Sequence, residues 1–217
     1  MGVPNKSKKQ LKHEPKLNVN LNEEQKEFIS NFYHYDVNFL LGDFGSGKSL
    51  AAVYAAISSF RKKQFNKIWI TRPILKNTLS TLPGTVDDKM HPYVFPILQN
   101  LDVCQGKETT NRMRKSGDIE IMPISVAKGV TFMESVVIVD EFQDMTYEDF
   151  RTILTRLGKE SKIIFCGSRE QIDKAVGKDS CISVVDKLAK SGLVGIKTLT
   201  SNHRNPILTD IIDYLEK

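Results

Sequence analysis

No stretch of the 217-residue sequence approaches the ~18 consecutive apolar residues that a membrane-spanning helix needs, so no membrane partner is expected. The lysine-rich start has no apolar segment behind it and does not read as a secretory signal. Cysteine is scarce: Cys104, Cys166 and Cys181 are odd in number and form no C-x-x-C pair. That pattern fits a reducing compartment, and the expected location is cytoplasmic. His13, His34, His91 and His203 lack metal-ligand spacing with one another or with cysteine, which argues against zinc. No internal repeat is visible. What is present is a composition of 40% hydrophobic and 26% charged residues, enough for a packed core. The length suits one α/β domain with a tail.

The formal charge of +5 is unevenly placed. Residues 1–20 hold Lys6, Lys8, Lys9, Lys12 and Lys16 against Glu14, which leaves the rest of the chain nearly neutral. With Pro4, Pro15 and no sustained period, residues 1–20 read as a flexible basic arm. Such an arm is either a solvated end or an electrostatic grip on nucleic acid, releasing a counterion for each phosphate neutralised.

Residues 21–217 read as a single domain. A helix capped by Asn22 runs through EEQKEFIS, followed by a buried strand VNFLLG (37–42), an Ala-rich helix SLAAVYAAISSF and a strand KIWIT (67–71). Residues 72–118 read as an irregular insertion with a short helix. Further strands are expected at 119–124, 135–140, 162–167 and 194–199, with helices near 146–157, 180–191 and 206–216. Apolar, β-branched strands separated by helices predict a mainly parallel sheet covered on both faces. Trp69 reads as core.

GDFGSGKS (42–49) fits G-x-x-x-x-G-K-[ST] directly after a strand and at the opening of a helix. Gly42, Gly45 and Gly47 allow a tight turn whose N–H groups aim at phosphate oxygens, and Asp43, Phe44 and Ser46 complete the loop. The helix start contributes its positive dipole end. Lys48 would reach the β and γ phosphates, Ser49 would offer its hydroxyl to Mg²⁺, and Phe44 is exposed by position. The run SVVIVDEFQD supplies the acidic partner: Asp140 to secure Mg²⁺, and Glu141 to orient and deprotonate an attacking water. A water-directed carboxylate favours hydrolysis over a kinase reaction.

Two further groups could sense the γ-phosphate. Gln171 follows Gly167 after the KIIFCG strand, and Arg204 follows the last strand in LTSNHRNP; on spacing alone either could equally be a surface residue. Arg72, just past a strand, has three open roles: nucleic-acid contact, contact with a neighbouring subunit's nucleotide, or a salt bridge holding the insertion. The stretch 107–115 (KETTNRMRK) reads as a solvated loop or the lining of a strand channel.

The order of these elements resembles the first domain of superfamily 1 helicases. LNEEQKEFI (21–29) is similar to their adenine-reading segment, which assigns Gln25 to the base. DEFQD, with Gln143, resembles motif II, GSREQ resembles motif III, and LTSNHRNP resembles motif IV with its phosphate-contacting arginine. A closer resemblance, from about residue 21 onward, is to the PhoH-like family of ATPases. It rests on TRPI (71–74), LPGTVDDKMHPYVFPILQNL (82–101) and IEIMPISVAKGVTFMESVVIVDEFQD (119–144). The resemblance implies a RecA-like three-layer α/β/α P-loop fold, ATP hydrolysis with Mg²⁺ and a link to RNA metabolism or phosphate starvation; some relatives form rings. The chain departs from the family pattern at Ser168, where aspartate is usual. Lys128-Gly129-Val130-Thr131 stands for Arg-Gly-Arg-Thr, and His203-Arg204-Asn205-Pro206 for Arg-His-Pro.

The expected function is therefore ATP hydrolysis coupled to binding, translocating along or unwinding single-stranded nucleic acid, RNA or DNA. The alternative is an ATP-gated switch that binds nucleic acid or protein without unwinding. One RecA-like domain presents only one face to the nucleotide, so a homo-oligomer, such as a ring, is expected to supply the other.

Overall fold

The structure is a computed structural model that describes residues 17–74, 84–169 and 180–201, with Ile207, Ile211 and Tyr214 beyond them. Gln171, Arg204, arm residues 1–16 and most of the expected helix 206–216 lie outside the described residues.

Helix α1 (Glu23–Phe32) opens with a capping box: Asn22 Oδ1 accepts from the Gln25 N–H at 2.8 Å, and Gln25 Oε1 accepts from the Asn22 N–H at 3.0 Å. Strand β1 (Val37–Gly42) leads through the glycine-rich loop into α2 (Lys48–Arg61), then β2 (Lys67–Thr71). Helices α3 (Val86–Gln105) and α4 (Lys107–Ser116) precede β3 (Ile119–Ile121) and the short α5 (Ile124–Ala127). β4 (Ser135–Val139), a 3₁₀ turn at Phe142–Asp144, α6 (Tyr147–Leu154), β5 (Lys162–Gly167), α7 (Ser183–Ala189) and β6 (Gly195–Leu199) complete the described chain.

The described strands form one sheet in the order β3-β2-β4-β5-β1-β6, every pair parallel. Side-chain alternation sorts its two faces. Leu40, Ile68, Ile70, Val136, Ile138 and Ile164 pack with Phe28, Phe32 and the alanines of α2. Phe39, Leu41, Val137, Val139, Ile163 and Phe165 pack with Phe132, Phe150, Ile153 and Val185 on the other side. Apolar residues on both faces of each central strand are what a sheet buried between two helical layers requires. The result is a three-layer α/β/α sandwich, and Trp69 is buried against Phe132.

Three sequence expectations change. Residues 72–118, read as irregular with a short helix, contain the 20-residue α3 and the 10-residue α4. Pro92 and Pro96 obscured α3; both lie on its exposed face, where the carbonyls their missing N–H groups leave unpaired can meet water. Met90, Val94, Ile97, Leu101 and Cys104 form its buried stripe, and a Thr85–Asp88 capping box starts it. Strand 119–124 stops at Ile121, because Pro123 has no N–H for a ladder and instead precedes α5. Finally, residues 17–20, counted in the basic arm, lie against the domain: Leu17 and Val19 pack on the core, and Asn18 N–H donates to the Cys104 carbonyl at 3.1 Å.

Candidate nucleotide site

The loop between β1 and α2 turns on glycines with φ of 148° (Gly42), 79° (Gly45) and 82° (Gly47). A Cβ on Gly42 would also stand 2.5 Å from the Leu199 carbonyl oxygen, so β6 could not approach a larger residue. Lys48 Nζ donates to the carbonyls of Gly42 at 2.6 Å and Asp43 at 2.8 Å, and Ser46 Oγ donates to Asp43 O at 2.8 Å. The loop thus curls around an ammonium group at the start of a 14-residue helix, a ready anion cradle. Phe44 is half exposed at the loop tip.

The sheet order places β5 between β1 and β4, so Ser49 and Asp140 approach each other across its end. Ser49 Oγ donates to Asp140 Oδ1 at 3.0 Å. Asp140 is buried, and its pKa is pushed up to about 6, chiefly by burial and then by the neighbouring Glu141 charge; Arg72, the Ser49 hydroxyl and Lys48 partly offset this. Glu141 adopts φ 52°, ψ 43°, an uncommon left-handed conformation for a glutamate. Its Oε2 accepts from Gln143 Nε2 at 2.7 Å, and Gln143 Oε1 in turn accepts from the Ser168 N–H at 3.1 Å. Gln143 crosses β5 at Gly167, where a Cβ would collide with the Gln143 amide oxygen and stand 2.6 Å from the Phe142 ring. Ser168 Oγ lies 3.5 Å from Asp43 Oδ1, closing a circuit from the carboxylate back to the loop. Arg72 Nη1 donates to the Tyr93 carbonyl at 3.2 Å, and its Nη2 lies 4.0 Å from Glu141 Oε1.

Beside the loop is a cavity of about 610 Å³ bordered by Leu21, Gln25, Gly47, Ser49, Leu50 and Asn100. Gln25 is buried, with Oε1 in the capping box and Nε2 3.5 Å from the Gly47 carbonyl. The preceding residue was not singled out in the sequence. Glu24 accepts from the Thr200 N–H (3.0 Å) and Oγ1 (2.5 Å) and from the Ser201 N–H (3.1 Å) and Oγ (3.0 Å). These bonds, the Thr200 hydroxyl first, pull its pKa down to about 2. Only the S/T pair in LTSNHRNP could have hinted at a carboxylate partner.

A family model described as "PhoH-like protein" matches residues 19–216. The chain belongs to the PhoH-like family. A PhoH-like protein of Bacillus subtilis is 33% identical over 199 residues, an alignment covering 89% of this chain and 62% of the relative. The protein PhoH of Escherichia coli is 30% identical over 180 residues, 81% of this chain and 51% of that one. The chain thus spans between half and two thirds of these relatives. Among solved structures, the large terminase of a thermophilic bacteriophage superposes with a TM-score of 0.57 at 12% identity, covering 92% of this chain and 51% of the terminase. At such identity the likeness concerns the fold alone, and it agrees with a RecA-like P-loop fold.

In the PhoH-like chain, the loop, Ser49, Asp140, Glu141, Gln143 and Gln25 come together around one face. Gln171 and Arg204 lie outside the described residues. For magnesium, Ser49 Oγ and Asp140 Oδ1 are hard oxygen donors suited to an ion that keeps most of its ligands as phosphate oxygen and water. Among the described residues, no group of three or more His, Cys, Asp or Glu could hold a metal by itself. No helix among the described residues is long and apolar enough to cross a membrane.

Proposed function

We propose that this PhoH-like chain hydrolyses ATP with magnesium and couples turnover to binding or moving single-stranded nucleic acid, with RNA as the favoured substrate. The observation that carries the reading is the 3.0 Å bond from Ser49 to Asp140, which joins the start of the phosphate loop's helix to the acidic end of β4. Lys48, now on loop carbonyls, would exchange these for the β and γ phosphates. Bound magnesium would neutralise phosphate charge. Glu141 orients and deprotonates the attacking water, held by Gln143 so that its second oxygen stays available. Gln171 and Arg204 answer to the γ-phosphate. The basic arm supplies nucleic-acid affinity. A second face for the nucleotide comes from another copy in a homo-oligomer, across which Arg204 acts.

The test compares phosphate release by the wild-type chain and Glu141→Gln, with and without single-stranded RNA or DNA, beside strand displacement. Expected are nucleotide binding in both proteins, turnover lost by ~100-fold or more in Glu141→Gln, and stimulation by RNA. A rate indifferent to nucleic acid, with no duplex opened, removes the coupling and leaves an ATP-gated binding switch. Unchanged turnover in Glu141→Gln removes it as the base.

A further inference from the structure

We infer that α4 and the end of α2 form a docking surface for the phosphate backbone of duplex nucleic acid, at the edge of the sheet opposite the phosphate loop. The inference rests on the proposed coupling to nucleic acid and says where a paired strand lies. The chain runs from Arg61, at the end of α2, through Lys62 and Lys63 into β2, and the Asp118 carbonyl after α4 accepts from the Ile68 N–H at 2.8 Å. Both helix ends therefore stand where the parallel strands begin. The phosphate loop follows the end of β1, and the 14 residues of α2 separate it from Arg61 by about 20 Å.

α4 turns Thr110 and Met113 inward and leaves Lys107, Arg112 and Lys115 exposed. At the end of α2, Lys62 and Lys63 are exposed and Arg61 is partly buried. The end of α3 joins the two groups: burial pushes the Cys104 thiol up to about 11, and the nearby Arg61 charge partly offsets this. The Asn18 N–H donates to the Cys104 carbonyl at 3.1 Å, so the lysine-rich residues 1–16 join the domain at the same place. Of the acids beside them, Asp118 accepts from Ser116 Oγ at 2.6 Å and Glu120 is paired with Lys67 at 2.5 Å, while Asp102 and Glu108 leave the balance positive. Among the described residues, Arg61, Lys63, Lys107, Arg112 and Lys115 form no ion pair, whereas Lys26, Lys162 and Lys197 each sit on a carboxylate. Outside residues 1–16, 61–63 and 107–115 the chain is net negative. Positive charge is thus gathered from three separate segments.

Cations crowded on packed helices repel one another, and a polyanion relieves that repulsion while its own condensed counterions are released. The 10 residues of α4 span about 15 Å, enough to track several phosphates along one groove edge. α4 carries no aromatic residue, so it offers no platform on which unpaired bases could stack. Recognition then follows backbone charge density, which is higher in a duplex than in a single strand. Among the described residues of these segments, Val103 is the one large apolar side chain that is exposed, too little apolar surface to enter a bilayer. Nucleic acid therefore fits this surface better than an anionic membrane does.

The experiment titrates the full chain with labelled duplex and single-stranded RNA and DNA at several salt concentrations. It compares wild type, Arg112→Gln with Lys115→Gln, and a control with the same charge change on α7, Lys187→Gln with Lys190→Gln; melting temperatures check folding. The α4 variant should bind duplex ~10-fold or more weakly, with a salt dependence shallower by about 2 for two lost phosphate contacts. Its hydrolysis without nucleic acid should match wild type, and the α7 variant should keep wild-type affinity and slope. An unchanged slope in the α4 variant, or equal losses in both variants, overturns the inference. So does an α4 variant that loses binding to phosphatidylserine vesicles while its duplex affinity holds. A wild type that grips duplex through α4 but hydrolyses ATP at a rate indifferent to nucleic acid keeps this inference and removes the coupling. A wild type stimulated by single strands, with duplex affinity untouched in the α4 variant, does the reverse. If wild type binds no nucleic acid, both fall.

Discussion

Arg72 links the insertion to the acidic end of β4: one guanidinium nitrogen donates to the Tyr93 carbonyl at 3.2 Å, and the other stands 4.0 Å from Glu141 Oε1. Of the roles its position left open, this geometry favours a tie that holds α3 while facing the proposed base. Arg72→Ala should therefore lower turnover by ~10- to 100-fold through misorientation of Glu141, with a smaller effect on nucleotide affinity. Arg72→Lys, which keeps the charge but loses the fork, should fall between. Steady-state kinetics beside nucleotide titration checks this; weakened binding with unaltered turnover would instead place Arg72 on the nucleotide.

Asp140 is poised at a cost to the empty protein. Its folded pKa of about 6 stands above the ordinary 3.8, so the unfolded chain releases this proton more readily than the native one. Between these values stability falls as pH rises, and above about 6 the penalty of a buried charge is complete. Asp140→Asn should thus stabilise the nucleotide-free protein at pH 8 by about 1–3 kcal/mol, with the gain shrinking as pH falls through 6 and gone near 4. Urea denaturation at several pH values measures it. The same variant should lose turnover, the trade expected of a strained functional group.

Gly167 lets Gln143 pass from β4 to β5. An alanine methyl there would collide with the Gln143 amide oxygen and stand 2.6 Å from Phe142, a fully buried ring. Gly167→Ala should cost ~1–3 kcal/mol by overpacking and should also release Glu141 from its amide partner. Denaturation midpoints report the first effect, and turnover per folded molecule the second. A variant with normal stability and normal turnover would mean that the crossing carries no strain and no function.

Much of this was readable in the chain because each signal is local. Strand, glycine loop and helix follow one another in VNFLLGDFGSGKSLAAVY, and β4 announces its end with Asp140 and Glu141. The alternation of Val136 and Ile138 with Val137 and Val139 was equally plain, though which strand lies beside which required the sheet. Helix α3 was hidden because Pro92 and Pro96 are breakers in isolation; burial of Met90, Val94 and Ile97 against α2 overrides them, and that contact is tertiary. The long-range ties were illegible for the same reason. Nothing near Glu24 in sequence points to Thr200, and nothing near Arg72 points to the Tyr93 carbonyl.

Glu24 offers the final test, because it joins α1 to the end of β6 just before the segment that contains Arg204. Its carboxylate gathers four donors from Thr200 and Ser201, and its folded pKa of about 2 lies below the ordinary 4.5. A depressed carboxylate contributes stability above 4.5 and loses it as pH falls towards 2, so wild type should show more acid destabilisation across that window than Glu24→Gln. Denaturation curves between pH 5 and pH 2 would reveal the difference. If these bonds also set the position of Arg204, Glu24→Gln should lower turnover while leaving nucleotide affinity nearly intact. Combining it with Arg204→Ala should then cost little more than Arg204→Ala alone. Fully additive losses would confine Glu24 to holding α1 against the sheet.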